Sequence, residues 1–274
     1  MATKVVCVDD TIINVLNNDY LMIELKPIKA MHIKIRTIRD SEATLIIQIA
    51  DNDKEISIST LIEPNSKLNV LYLNRSTTLK IKETVDISEG GNYQVAYGEL
   101  EAGILDRIAD YNLNGYKANI DLISTAIINE HKHQELNCHH LAKSTTSLMQ
   151  TYGVLLNKGD YYIKANGHII KGASGSKSHQ ASRVLTFADK QQAKIIPLLL
   201  IDENDVEASH AMSIGQLDEN QLYYLESRGL TKVEALRLIA LGYLLPITKV
   251  INDQKLNDEL LNVINEKVLA TCLI

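Results

Sequence analysis

The stretch ASHAMSIGQLDENQLYYLESRGLTKVEALRLIALGYLL, from Ala208 to Leu245, contains start and stop signals for two helices. Asp218 suits the N-cap of the first helix, and Gln221, three residues later, completes a capping-box pattern. Gly229 can adopt the left-handed conformation that closes a helix. These residues predict a first helix that begins after Asp218 and stops at Gly229.

The second helix is signalled in the same way. Thr231 and Glu234 form another capping-box pattern, an apolar stripe follows at helical spacing, and Pro246 ends it. A third apolar stripe runs from Asp253 to Leu269. We therefore predict a helical C-terminal domain over residues 218–274, with its boundary near Leu217.

A family resemblance rests on the run SHAMSIGQLDENQLYYLESRGL and the helix start TKVEALRL. Together with RVLTFADKQQAKIIPLLLIDENDVEASH, from Arg183 to His210, these segments resemble the C-terminal signature of the SufB and SufD proteins of iron-sulfur cluster assembly, and SufD more closely. The resemblance runs from about Cys138 to Tyr243, is weak between Glu99 and Asn137, and is not visible before Glu99. It implies a right-handed parallel β-helix core.

The chain before residue 217 has the pattern of many short strands. Runs such as KAMHIKIRTI, ATLIIQIA, KEISISTLI and TLKIKETVDI alternate with a period of two, and the segments DND, EPNS, NRST and SEGGN between them have turn chemistry. The pattern alone leaves a sandwich, a barrel and a solenoid open. Few hairpin dipeptides favour the solenoid, and the resemblance selects it. We predict a mainly β protein with a β-helix over residues 1–217.

Composition narrows the functional classes. The net charge is -6 and no cluster of Lys or Arg stands out, so neither nucleic acid nor an anionic membrane is an expected partner. No apolar run approaches the roughly 20 residues of a membrane span, and MATKVVCVDD lacks the features of a signal peptide. Three scattered cysteines fit a reducing compartment. We expect a cytoplasmic protein.

His210 is the first candidate for chemistry. The resemblance places it where SufD proteins have a histidine implicated in cluster assembly, and a neutral imidazole is a good iron ligand. Two residues earlier this chain has Ala208, where many family members have a cysteine. A thiolate is therefore missing there, and partner thiols would supply it. The alternative is a histidine that caps the last coil.

A second candidate group is His131, His133, His139 and His140 with Cys138. On a strand, Cys138 and His140 point to one side and His139 to the other. The polar run NEHKHQELN predicts a solvated loop that contains His131 and His133. His140 matches a family histidine, and the metal-ligand and core-packing readings are balanced for it. For Cys138 we favour a small buried apolar residue over a ligand.

Other patterns carry no chemistry. GASGSKS, from Gly172 to Ser178, lacks the spacing of a phosphate loop, and we predict a corner turn. No GxSxG, HExxH or paired catalytic carboxylates occur, so we expect an assembly subunit and not an enzyme. Cys7 and Cys272, near the termini, have no expected role.

The resemblance implies a SufD-like scaffold subunit that holds an iron-sulfur cluster transiently. It would pair with a SufB-like protein through the last β-helix coils and dock a SufC-like ATPase on its C-terminal helices. Residues expected near that docking surface are Tyr223, Tyr224, Leu225, Arg228, Gly229 and Glu234.

Two other functions remain open. One alternative is a simplified homodimeric scaffold, which the missing cysteine at Ala208 opposes. The other is a β-helix that binds or cleaves polysaccharide, which the absence of Trp opposes. Family members usually carry a helical segment before the β-helix, whereas strand-like sequence begins here almost at Met1. We therefore interpret the chain as a shortened form.

Overall fold

The computed structural model describes residues 3–156, 159–187, 192–250 and 253–272, and in them the strands form two parallel sheets. The nine-stranded sheet contains β1 Thr3–Cys7, β3 Tyr20–Leu25, β5 Glu42–Ile49, β7 Lys67–Asn74, β9 Asn92–Glu99, β11 Asn119–Ile128, β13 Thr146–Leu155, β15 Ser176–Thr186 and β17 Val206–Gln216. The eight-stranded sheet contains β2 Thr11–Val15, β4 Met31–Thr37, β6 Glu55–Ile62, β8 Thr78–Ile87, β10 Ile104–Leu113, β12 His131–His140, β14 Asp160–Ile169 and β16 Gln192–Ile201.

Consecutive strands alternate between the two sheets. Each strand bonds to the strand two positions away in the chain, and every such pair is parallel, as in β8 with β10 and β11 with β13. Two strands and their connections therefore make one turn of a solenoid. This arrangement confirms the predicted parallel β-helix over a sandwich or a barrel.

The interior is built from stacked inward-facing side chains. Along β8 every second residue is buried, and the register stacks Met31, Ile56 and Ile81 in one column through successive turns. Removing a large aliphatic side chain from water contributes about 1.5–3 kcal/mol. Branched aliphatic side chains thus fill most of the core, and the tyrosines Tyr72, Tyr93, Tyr97 and Tyr111 are buried among them.

One corner of the solenoid repeats a left-handed residue from turn to turn, with φ between 56° and 74°. The members of this corner column are Asn18, Asp40, Asn65, Gly90, Lys117, Ser144 and Gly175. The amide of each donates to a carbonyl oxygen of the next turn, as Asn65 does to Glu89 at 2.9 Å and Ser144 to Ser174 at 2.9 Å. The column therefore links adjacent turns at a fixed point of each.

The three predicted helices are present. They are α1 Glu219–Ser227, α2 Lys232–Leu244 and α3 Gln254–Cys272, and a 3-10 turn, Leu245–Lys249, follows α2. Thr231 and Glu234 form the predicted capping box, and Gly229, with φ 94°, follows α1.

One capping prediction is wrong. The Asp218 side chain caps α1 by accepting from the amide of Asn220 at 2.8 Å. In the part of the chain that the structure describes, Gln221 returns no bond to the N-cap, so the box is half formed.

The later helices pack on the nine-stranded sheet. Leu244 and Ile247 join a buried cluster with Leu71 and Leu73, and the inner stripe of α3 completes it. Gly98 permits this approach, because a Cβ there would lie 2.8 Å from Ile247 Cδ1. No helix in the described ranges is long and apolar enough to cross a bilayer. The strands end at Gln216 and α1 begins at Glu219. The division into domains of residues 1–217 and 218–274 stays a prediction.

Candidate functional site at the open end of the solenoid

The C-terminal end of the solenoid has two edge strands. Among the described strands, β17 pairs only with β15 and β16 only with β14. All residues of β17 after Val206 are exposed, and Met212 and Ile214 retain 47% of their accessible surface. An edge of this length presents unpaired backbone groups and apolar side chains to a further strand.

His210 lies in the middle of this edge. It is paired in register with Gln180 of β15, and Ala208 is paired with Ser178. Gln180 and Ser178 are inward-facing and buried, so His210 and Ala208 occupy the same inward-facing row at the exposed end. Within the described ranges the His210 side chain has no hydrogen-bond or ion-pair partner. Its ring nitrogens are therefore accessible to a ligand.

His140 lies inside the solenoid, two turns below that end. It stacks between Leu113 and Ile169 and is wholly buried. Its Nδ1 is 2.8 Å from Thr145 Oγ1, and its Nε2 is 2.9 Å from Ser147 Oγ. Burial lowers the pKa of His140 to about 4, although a hydrogen bond at Thr145 opposes the shift. The imidazole is therefore neutral near pH 7.

Cys138 faces inward beside His140, as strand alternation predicts. Its Sγ lies 4.0 Å from His140 Nε2, and burial raises the pKa of the thiol to about 12. The group is therefore a thiol at neutral pH, and metal binding would require its deprotonation. Cys7 is a buried free cysteine, and the side chain of Cys272 lies outside the described residues.

The predicted loop around His131 and His133 is wrong, because both residues belong to β12. The inward positions between and after them are Lys132 and Gln134, whose polar ends have partners in the core. Lys132 Nζ donates to the Glu101 carbonyl at 3.0 Å, and Gln134 Nε2 donates to the Tyr161 hydroxyl at 3.0 Å. A polar run can thus form a fully integrated strand.

The two histidines lie on the outer face of the eight-stranded sheet. His131 Nδ1 is 2.9 Å from Asp160, and His133 Nδ1 is 2.9 Å from Asp106. His139 also points outward, with its ring 6.0 Å from that of His168. Among the described side chains, no group of three His, Cys, Asp or Glu residues is arranged to hold a metal ion.

A separate apolar groove lies between α1 and α2, with a volume of about 550 Å3. Tyr224 and Leu225 line it from α1, and Leu238 and Ile239 line it from α2. No residue of α1 is buried, and Leu238 is half exposed. The apolar side of α1 therefore faces an open groove instead of a filled core. We call this surface the α1/α2 groove.

The other docking candidates lie around the α1/α2 groove without lining it. Tyr223 is 74% exposed, and Arg228 lies over the ring of Tyr224 at 5.2 Å. Glu234 is engaged in the capping box, and exposed Gly229 is in the corner between the helices. The sequence prediction grouped these residues because they are close together in the chain. In the structure, some of the predicted docking residues line the α1/α2 groove and the others lie outside it.

Residues 24–243 match the family model described as SUF system FeS cluster assembly, SufBD core domain. This match covers most of the chain, from β3 to α2. The chain belongs to the SufB/SufD family. The match begins at residue 24, so the expectation that the resemblance is not visible before Glu99 is wrong.

Individual relatives of the SufB/SufD family match shorter parts. SufD of Bacillus subtilis is 39% identical over 129 residues, which cover 47% of this chain and 30% of that protein. SufB of Bacillus subtilis is 27% identical over 180 residues, which cover 65% of this chain and 38% of that protein. A SufBD family protein of Mycobacterium tuberculosis is 32% identical over 139 residues, or 50% of this chain and 16% of that protein. The matched parts span well under half of each relative.

This SufB/SufD chain also contains a buried ionic cluster that the sequence analysis missed. Arg107 bonds to Glu83 and, at 2.7 Å, to Glu99, and all three side chains are buried. Asn74 donates to Glu99 at 2.8 Å, and the Tyr97 hydroxyl lies 3.1 Å from Glu83. Burial opposes the charge of Arg107, but the two carboxylates outweigh it and raise the pKa of the guanidinium.

The period-two pattern of inward and outward residues in the strands indicates this cluster. In TLKIKETVDI the inward series is Leu79, Ile81, Glu83, Val85 and Ile87, so Glu83 stands in an apolar row. Arg107 stands in the inward row of the neighbouring β10. When each of two adjacent strands has a charged residue at an inward position, and the two charges are opposite, the pattern predicts a buried ion pair.

Proposed function

We propose that this chain is a SufD-like, non-ATPase subunit of an iron-sulfur cluster assembly scaffold. Membership of the SufB/SufD family supports the assembly role, and the observation that carries the proposal is the exposed edge strand β17 with His210 at its centre. In this proposal the cluster is cargo, held transiently at a contact with another subunit. The protein acts in the cytoplasm and catalyses no reaction of its own.

The proposed partner at the open end is a SufB-like protein. Its terminal strand would continue the nine-stranded sheet beyond β17, satisfy the free backbone groups and cover Met212 and Ile214. His210 would then lie at the contact and provide one imidazole ligand to the cluster. Because Ala208 provides no thiolate, the sulfur ligands would come from the partner. Cys138 and His140 are weaker candidates, since both are enclosed in the core.

The proposed partner at the helices is a SufC-like ATPase. The α1/α2 groove offers Leu225, Leu238 and Ile239 to an apolar anchor, with Tyr223, Tyr224 and Arg228 at or near its margin. Tyrosine and arginine are common at the centres of protein contacts. ATP hydrolysis would belong to that partner, and this chain would transmit the resulting movement.

The test is reconstitution with SufB-like and SufC-like proteins co-purified from the native cell. His210→Ala should lower the yield of assembled cluster and leave complex formation and ATP hydrolysis unchanged. His179→Ala is the matched control, because His179 lies on the outer face of the adjacent strand and bonds to Ser209 at 2.8 Å. Equal cluster yields from the two variants would refute the role of His210.

Two surface variants separate the proposed contacts. Met212→Asp should abolish pairing with the SufB-like protein, and Leu238→Asp should abolish ATPase binding while pairing persists. Their expected independence follows from the different locations of β17 and the α1/α2 groove. If the chain alone forms a dimer that Met212→Asp dissociates, the homodimeric scaffold replaces the proposed pairing.

A further inference from the structure

Gln180 is the inward-facing residue of β15 directly under His210, and its amide reaches across the interior of the solenoid. The side chain is 4% exposed, and its Nε2 donates to the Leu198 carbonyl of β16 at 2.9 Å. Gly167 leaves room for this amide, because a Cβ there would lie 3.0 Å from Gln180 Nε2. A carbonyl oxygen can only accept a hydrogen bond, so the bond to Leu198 fixes which end of the amide is nitrogen and which is oxygen.

The other end of this amide, Gln180 Oε1, is buried and has no hydrogen-bond partner among the described residues. Its polar neighbours in the same inward row are satisfied. Ser178 Oγ lies 3.1 Å from Ser147 Oγ, and Ser182 accepts from Thr151 at 2.8 Å. A buried acceptor without a donor is unfavourable. Gln180 is therefore the exception in its row, and its Oε1 requires a donor.

The residues stacked below and above Gln180 restrict the source of that donor. Below it in the register lies Met149, whose thioether has no hydrogen to donate. Above it, on a strand about 4.8 Å away, lies His210, and a neutral imidazole has one N–H and one acceptor nitrogen. His210 is exposed, and exposed side chains change rotamer within nanoseconds. His210 is therefore the stacked neighbour whose ring can turn an N–H toward Gln180 Oε1.

We propose that Gln180 is a positioning residue for His210. Gln180 Oε1 accepts the ring N–H, which fixes the tautomer and directs the other ring nitrogen, with its lone pair, toward the open end. Histidine ligands commonly donate their second ring N–H to an oxygen acceptor in this way, which fixes the ring and makes the ligating nitrogen more basic. The inference rests on the proposed function for the identity of the cargo, iron, whereas the hydrogen bond is a property of this chain alone.

The hydrogen bond is tested by NMR on the full chain with 15N-labelled histidine, at alkaline pH, where the ring is neutral. The His210 signals are assigned by their loss in His210→Ala. The wild type should have one tautomer, and its ring proton should exchange with solvent at least about tenfold more slowly than that of free histidine. Gln180→Met keeps the length of the side chain without the acceptor, and it should shift the tautomer ratio about five- to tenfold.

The matched control is Ser182→Ala, at the next inward position of β15, which is paired with Met212. This variant should leave the tautomer ratio of His210 unchanged. A ratio that Gln180→Met does not alter, or that Ser182→Ala alters equally, would refute the hydrogen bond. If Gln180→Met does not fold, the wild type decides alone, since ring-proton exchange as fast as in free histidine refutes the bond.

The effect on the cargo is tested in the complex reconstituted with SufB-like and SufC-like proteins. Gln180→Met should raise the iron(II) concentration for half-maximal cluster assembly by about tenfold or more. The same substitution added to His210→Ala should have no further effect, because Gln180 acts through His210. A further loss of equal size in that background would refute positioning. If His210→Ala leaves assembly unchanged, the proposed function is wrong, and the tautomer result on the chain alone still stands.

Discussion

Gln180 lies directly beneath His210 in the register of β15 and β17, one residue buried and the other exposed. The pair marks where the closed interior of the solenoid meets its open end. In every earlier turn an inward side chain is covered by the next strand, whereas His210 has no covering strand in the described ranges. A candidate ligand is thereby held on a regular scaffold and still left accessible.

The buried ionic cluster should be a large determinant of stability. Arg107→Met leaves Glu83 and Glu99 enclosed without their cation, and breaking a buried pair costs about 3–5 kcal/mol. Urea denaturation should record this loss in the free energy of unfolding. Exposed Arg183→Met is the control and should change it by less than about 0.5 kcal/mol. Adding Glu83→Gln and Glu99→Gln to Arg107→Met should recover part of the loss, and no recovery would contradict the electrostatic explanation.

His140 should make stability fall in acid. Its pKa is lowered from 6.5 to about 4 in the folded protein, so the unfolded chain binds a proton at a higher pH than the folded chain does. The stabilising contribution is complete above pH 6.5 and is lost as the pH falls toward 4. Between pH 7 and pH 4 the wild type should lose about 3 kcal/mol more than His140→Asn. Parallel pH profiles of the two proteins in urea denaturation would disprove this contribution.

The contact between the 3-10 turn and the sheet should hold the C-terminal helices in place. Ile247 is 1% exposed, and Ile247→Ala should lower the free energy of unfolding by about 2–5 kcal/mol through the cavity that it leaves. Leu238→Ala, at a half-exposed position of the α1/α2 groove, should cost much less. Thermal and urea denaturation distinguish them, and similar losses would mean that the groove is part of the core.

The capping box of α2 should contribute about 1 kcal/mol to the free energy of unfolding. Thr231 accepts from the Glu234 amide at 3.3 Å, and Glu234 accepts from the Thr231 amide at 2.7 Å. Thr231→Ala should therefore lower the free energy of unfolding by that amount, whereas Thr231→Ser keeps the hydroxyl and should have little effect. Urea denaturation of both variants is the measurement. Equal losses would assign the effect to the methyl group instead of the cap.

The helices were predictable from the sequence because their signals are local. Thr231, Glu234 and Gly229 act within a few residues, and each has its predicted role. Local sequence does not distinguish a solenoid from a sandwich, because the strands of both show the same alternation of inward and outward residues. The family resemblance supplied that choice.

The interior of the site was the least predictable part. Lys132 and Gln134 read as loop residues because their partners, Glu101 and Tyr161, are 31 and 27 residues away in the chain. The same distance hid the bonds between Ser147 and Ser178. A period-two pattern identifies an inward position, but only the register between turns identifies what it meets there.

The corner column has a consequence for how this architecture can change in evolution. Its members are 22 residues apart between Asn18 and Asp40 and 31 apart between Ser144 and Gly175, yet each makes the same bond to the next turn. Length differences are therefore absorbed elsewhere in the turn. A whole coil can be duplicated or deleted at this corner without new chemistry at the junction, so the chain can lengthen or shorten while its terminal strand keeps the same surface.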